Sequence, residues 1–255
     1  MGRLLAIPLP PLPDIRPGDD LAALIAGAFR AGQLEDPDLA PRPGDVLVVT
    51  QKVVSKAEHR IVDLRSVEPR PEAREFAARW GRDPRQVEVV LREAAAVLRM
   101  ERGVLIARTR HGFVCANAGV DASNVEPNTV TLLPEDPDRS AAELRTRLAA
   151  LLGVELAVVI SDSFGRPWRW GITDVALGVA GFAPLTDLRG QADTSGRPMQ
   201  STIIAVADEI ASAAELAMGK TSRRPVVLVR GATLPEGSGT IRADVVMPRE
   251  ADLFP

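Results

Sequence analysis

The chain of 255 residues is short of cysteine, histidine and lysine, and each shortage excludes something. Cys115 is the single cysteine, so neither a disulfide framework nor a cysteine zinc site can form within the chain. His59 and His111 are the two histidines, too few for a histidine-based zinc centre. His111 lies between Arg110 and Gly112 and reads as a surface turn residue. No apolar run reaches the ~18 residues of a membrane span. The opening MGRLLAIPLPPLP is apolar but broken by prolines, with no signal-peptide pattern. A net charge of −3 provides no basic field for nucleic acid or an anionic membrane. Walker, GxGxxG and GxSxG patterns are missing, and GKTS at 219–222 follows a helix and lacks the upstream glycine of a Walker loop. With 45% hydrophobic residues, the expectation is a cytoplasmic α/β protein with a proper core.

Lysine is the informative shortage. Of 31 basic residues, only Lys52, Lys56 and Lys220 are lysines, and the rest are arginines. An ammonium is a compact point charge with three rotatable donors, suited to a phosphate oxygen or a tight site. Lys52 and Lys56 stand four apart in TQKVVSKAEHR, residues 50–60.

Periodicity predicts a strand over 3–8 and a Pro-rich loop. A helix through LAALIAGAFRAG follows, capped by Asp19 or Asp20. GDVLVVTQKVV (44–54) reads as one buried strand. Helices are expected over 72–81 and 84–100, strands over 103–109, 112–116 and 129–133, and a helix through PEDPDRSAAELRTRLAALLG. VELAVVISDS (154–163) is a further buried strand, TDVALGVAGFAPL contains strand, 201–220 passes from strand to helix, and 225–232 is the last strand. The whole chain, 1–255, reads as one unit with two subdomains meeting near 134–140.

Two strands end in the same unusual way. VCANAGVDASNV (114–125) runs from apolar residues into Asn117, Asp121, Ser123 and Asn124, and VVISDSFGR (158–166) stops at Asp162 and Ser163. Open α/β sheets bind ligands at strand ends. Carboxylates, hydroxyls and amides gathered there suit Mg2+ or Mn2+. The same side chains also form Asx turns and helix caps, the commoner use of such residues after a strand. Trp168 and Trp170 in RPWRWG suit stacking on a planar ligand or capping a core, and Arg166 and Arg169 beside them suit an acidic substrate.

Taken in order, LPDIRPGDDL, GDVLVVTQKVVSKAE, VCANAGVDASNV, ISDSFGRPWRWG, AVADEIASAAELAMGK and VVLVRG resemble the F420 γ-glutamyl ligase family over nearly the whole chain. The resemblance implies a mixed α/β, two-domain fold and a homodimer with its groove at the subunit interface. It implies addition of L-glutamate, and then of further γ-linked glutamates, to the lactyl carboxylate of F420-0, with GTP as co-substrate. Mg2+ or Mn2+ is the implied metal and K+ a further candidate. Carried over by position, Asp121, Asp162 and Ser163 hold metal. Leu12, Pro13, Asp14, Ile15, Gln51, Lys52, Lys56 and Asn124 line the nucleotide, as do Met218, Gly219, Lys220, Thr221, Ser222, Arg223 and Arg224. Lys56 and Asp162 are the expected catalytic residues, and Arg166, Trp168 and Arg169 the expected substrate contacts.

The chain also departs from the pattern. Lys220 stands where an archaeal member carries a carboxylate that helps bind a second metal, TSRRP replaces a Gly/Asp-rich turn, His59 replaces a glycine, and Trp170 replaces a small polar residue. Some bacterial relatives add a C-terminal flavin-binding reductase module, expected to be missing here. Two alternatives stay open: a ligase of this fold acting on another carboxylate, and a non-catalytic protein that binds F420 or nucleotide.

Overall fold

In the computed structural model, which describes residues 3–252, the chain opens with β1 (Leu5–Pro8) and α1 (Leu21–Gln33). Asp20 caps α1, its carboxylate accepting from the Ala23 amide at 3.1 Å. Next come β2 (Val46–Thr50) and a short helix, α2 (Gln51–Ala57). The chain then makes an excursion through β3 (Ile61–Asp63), α3 (Pro71–Trp80), α4 (Pro84–Glu93), β4 (Ala94–Glu101), β5 (Val104–Thr109), β6 (Val114–Ala116) and β7 (Thr129–Thr131). It returns by α5 (Pro137–Leu152) into a long hairpin of β8 (Ala157–Arg166) and β9 (Arg169–Ala180). The short pair β10 (Thr186–Asp187) and β11 (Ile203–Ile204) follows, then α6 (Val206–Met218) and β12 (Val226–Arg230).

A five-stranded sheet in the order β1-β12-β2-β8-β9 forms the centre; β2 and β8 are its parallel pair and the other neighbours are antiparallel. Because successive strand residues point to opposite faces, the unbroken apolar runs supply two cores at once. Leu47, Val49, Val158 and Ile160 face α1 and α5. Val46, Val48, Val159 and Val227 face the small-residue stripe Ala207, Ala211 and Ala214 of α6. Burying each Val or Leu of this kind contributes roughly 1.5–3 kcal/mol. A third core, including Phe76, Val87, Val90, Leu105 and Val130, draws only on residues 64–132 of the excursion.

Gly178 lets the start of α5 press on β9, since a Cβ there would lie 2.1 Å from the Pro137 carbonyl oxygen. That approach brings Asp138 into range of three backbone donors, the amides of Val179, Ile241 and Arg242 at 3.0, 2.9 and 3.1 Å.

Two predicted elements are corrected. The run 44–54 is not one strand, because β2 stops at Thr50 and α2 begins. The helix turns Gln51, Val54 and Ser55, spaced i, i+3 and i+4, inward together, which overrides the β-branched character of the two valines. The expected helix over 84–100 ends at Glu93, and its second half is β4, paired with β5. Alanine-rich AAAVLRM favours helix locally, yet Arg102 and Gly103, both at positive φ (53° and 74°), close a two-residue hairpin turn that folds it back as strand. Among the described residues no helix is long and apolar enough to cross a membrane.

Candidate active site

The parallel pair places two strand ends side by side, and both predicted polar motifs gather there. From the end of β2, α2 carries Lys52 and Lys56 one turn apart. Lys52 Nζ donates to Asp121 Oδ2 at 2.7 Å, to Ser123 Oγ at 2.6 Å and to the Ser123 carbonyl at 3.0 Å, so all three of its protons have acceptors. Lys56 Nζ donates to the Asn124 carbonyl at 2.7 Å. The lysines therefore clamp residues 121–124 to the central sheet.

The loop has its own reason for its residues. Asn117, Ala118 and Gly119 take positive φ in succession (53°, 51° and 74°), turning the chain out of β6. A Cβ on Gly119 would fall 2.6 Å from the Leu133 side chain, so the turn sits directly on the core. Asp121 is fixed by backbone bonds to Thr131 in both directions, 3.0 and 2.8 Å. Its Oδ1 accepts from the Ser123 amide at 2.6 Å, forming an Asx turn, while Oδ2 takes Lys52. The turn-forming and ligand-type uses of this aspartate coexist. Burial works against its ionisation, but Lys52 and the Ser123 donors outweigh it and hold its carboxyl below the usual range.

Opposite stand Asp162 and Ser163 at the end of the apolar part of β8. Burial pushes the Asp162 carboxyl up to about 7, and the negative charges of Asp174 and Asp121 add to the effect. Cys115 on β6 faces the same charge; its thiol is pushed up to about 12, first by burial and then by Asp162, and is inert as a nucleophile. Lys56 is pulled below its ordinary value by burial, with Lys52 adding repulsion against the attraction of Asp14.

The structure brings most of the expected nucleotide segments together at one rim. Asp14 pairs with Arg223 at 2.9 Å, joining the loop 12–15 to the turn 218–224. Pro13, Thr221, Ser222 and Arg224 are exposed beside them. Arg223 has a φ of 58°, and the Ser222 hydroxyl is drawn back onto the Met218 carbonyl, closing the turn after α6 at Gly219. Leu12, Ile15 and Met218 bury their side chains in the cores, leaving only backbone for a ligand. Gln51 is likewise buried, its amide nitrogen donating to Ser55 Oγ and the Leu132 carbonyl.

Arg166, Trp168 and Arg169 sit apart, at the exposed tip of the β8–β9 hairpin. Arg166 is three residues beyond Ser163, about 10 Å along an extended strand, and donates to the Trp170 carbonyl at 3.3 Å. Trp168 and Trp170 are 84% and 101% exposed, so neither caps a core. His111 does occupy a turn, with Nε2 against the Pro134 and Glu135 carbonyl oxygens at 2.9 and 3.1 Å. His59 has a φ of 60°, a conformation that glycine adopts without strain.

Asp174 is the residue that sequence reasoning missed. It is 3% exposed on β9 and paired in register with Ser163. Its one visible signal is a carboxylate just ahead of the apolar run Val175–Ala180 of β9. Among the described residues no group of three or more carboxylate, imidazole or thiol side chains is close enough to hold an ion alone. Asp121, Asp162 and Ser163 offer hard oxygens of the kind that Mg2+ takes alongside water and phosphate ligands.

A profile of the family described as F420-0:Gamma-glutamyl ligase matches residues 11–231, which include both strand-end motifs and the lysine helix. The chain belongs to that family. It is an enzyme of the ligase class. Proteins named coenzyme F420:L-glutamate ligase resemble this ligase along most of their length. The one from Methanopyrus kandleri is 48% identical over 91% of this chain and 89% of its own. That from Methanothermobacter thermautotrophicus is 43% identical over 95% of each, and that from Methanocaldococcus jannaschii is 42% identical over 83% and 84%.

Proposed function

We propose that this ligase joins L-glutamate to the terminal carboxylate of F420-0 and then adds γ-linked glutamates, consuming GTP, as a cytoplasmic homodimer. The observation that carries this reading is the gathering of two lysines, two aspartates and a serine at the adjacent ends of the parallel strands β2 and β8. Lys52, Lys56 and the Asp121 loop they clamp stand at the end of β2, and Asp162 and Ser163 on β8 supply further hard oxygens. The names of the relatives agree with the reaction.

Amide formation from a carboxylate at neutral pH requires an activated acyl group. The acceptor carboxylate attacks the γ-phosphorus, the P–O bond to GDP breaks, and an acyl phosphate forms. The glutamate amine then attacks the acyl carbon, phosphate leaves, and the amine loses its proton. Such transfer depends on positioning and charge neutralisation more than on covalent help from the protein. Lys52 and Lys56 would neutralise phosphate oxygens, and the loop they clamp would close over the nucleotide. Asp121, Asp162 and Ser163 would hold Mg2+ or Mn2+, with K+ a further candidate ion; the divalent ion supplies charge stabilisation on the phosphate oxygens. The turn 218–224 and the loop 12–15 would border the nucleotide. Arg166, Trp168 and Arg169 at the hairpin tip would meet the anionic, planar acceptor.

Mass spectrometry of F420-0 incubated with the protein, GTP, glutamate and Mn2+ tests the proposal. Increments of one or more glutamyl residues are expected, and their number reports the tail length. Release of GDP with an unchanged F420-0 mass would shift the acceptor to another carboxylate. Absence of both products would sink the reading.

A further inference from the structure

A buried carboxylate normally keeps its charge only when paired and hydrogen-bonded. Asp174 has both kinds of partner, and all of them lead to the site. Its Oδ2 accepts from the hydroxyl of Ser161, wholly buried, at 3.0 Å. Its Oδ1 accepts from the hydroxyl of Ser163 at 2.6 Å and from Lys220 Nζ at 3.3 Å. Lys220 donates to Ser163 Oγ as well and pairs with Glu215 at 3.2 Å. Burial opposes the charge on Lys220, but Asp174 and Glu215 outweigh it and hold the ammonium above its ordinary value.

Counting protons fixes the roles. A serine hydroxyl has one proton and two lone pairs. Ionised Asp174 can only accept, so the Ser163 proton points to it, and Ser163 Oγ is left as an acceptor. Lys220 fills one of its lone pairs and leaves the other. Lys220 is half-exposed, so it can move aside, whereas Asp174, 3% exposed, cannot.

We propose that Asp174 is a positioning residue of this ligase: by taking the Ser163 proton it makes that hydroxyl an acceptor towards a bound cation, and by holding Lys220 beside it, it makes the ammonium a tethered cation that a divalent ion must displace. The inference rests on the reading that a divalent cation binds at Asp162 and Ser163. An amide at position 174 would remove the negative charge that holds the Ser163 proton and Lys220, freeing the hydroxyl proton to turn outward, against a cation. The ammonium at 220 lowers the affinity of the same place for a divalent ion by competing for Ser163 and by repulsion.

Titration of the full chain with Mn2+ alone, followed by the electron paramagnetic resonance of free Mn2+, tests this, with near-ultraviolet circular dichroism confirming that each variant is folded. Asp174→Asn should weaken Mn2+ binding about tenfold or more, in line with losses of partners that orient metal ligands. Ser163→Ala should weaken it similarly, and the double variant should be within about twofold of the weaker single one, because both act through one oxygen. Lys220→Met should bind Mn2+ more tightly than the parent. Folded Asp174→Asn with parental affinity would overturn the inference, as would losses that multiply in the double variant. If Asp174→Asn does not fold, Lys220→Met decides, and unchanged or weaker binding there overturns it. A parent that binds no Mn2+ overturns the cation-site reading and this inference together. A parent that binds, with variants unaffected, overturns this inference alone.

Discussion

At the scale of single residues, Asp162 sits in a sharp electrostatic conflict. Its half-buried carboxyl is pushed up to about 7 by loss of water first and by the charges of Asp174 and Asp121 after that. Such a charge is costly to the fold, and groups so perturbed cluster at functional sites. Asp162→Asn is therefore expected to fold at least as well as the parent. It should lose on the order of 10²-fold or more in turnover, by analogy with the loss of one transition-state contact. Thermal melting alongside the glutamylation assay checks both halves, and near-parental turnover would remove Asp162 from the site. Asp121, Asp162, Lys52 and Lys56 were legible in the sequence because each interrupts or follows an apolar strand. Asp174 was not, because its partners Ser161 and Ser163 lie across a strand pair and leave no spacing in the chain.

At the scale of elements, the excursion that carries Asp121 is tied together by one carboxylate. Glu88, on α4, has a side chain only 4% exposed, and it accepts from Arg70 at 2.9 Å and from Arg92 at 2.8 Å. Burial alone would raise its carboxyl, but the Arg70 side-chain and backbone donors and Arg92 overcome that and hold it at about 2. A depressed carboxyl stabilises the fold fully above its unfolded value of 4.5 and loses that contribution as pH falls towards 2. Both arginines are 46% exposed, so screening limits the gain to about 1–2 kcal/mol. Glu88→Gln should lower urea stability by that amount at pH 6, and the gap from the parent should narrow at pH 3.5. A gap that stays constant between the two would show that the effect is packing, not charge. The same region shows where local pattern misleads. AAAVLRM has helix propensity, but pairing with β5 and the Arg102–Gly103 turn decide its conformation.

At the scale of the whole molecule, the β8–β9 hairpin projects beyond the sheet with Trp170 101% and Ile172 58% exposed. Exposed apolar groups of this size mark contact surfaces, and the proposed dimer supplies a partner of matching chemistry. Sedimentation at micromolar concentration should give twice the 27.3 kDa of one chain, and Trp170→Arg should shift it towards the single chain. A parent that sediments as one chain would refute the dimer and leave the cleft within a single subunit.

The sequence by itself determined the buried strands, the capped helices, the strand-end motifs and the family, because apolar periodicity, caps and motif order are properties of neighbouring residues. Only the tertiary structure decided that α2 interrupts the run after Thr50, that Ala94–Glu101 is strand, and that Lys52 closes on Asp121, 69 residues away. It also decided that Asp174 stands behind Ser163 and Lys220. Each of these depends on contacts between distant segments, whose energies outweigh local propensity and leave no periodic trace in the chain.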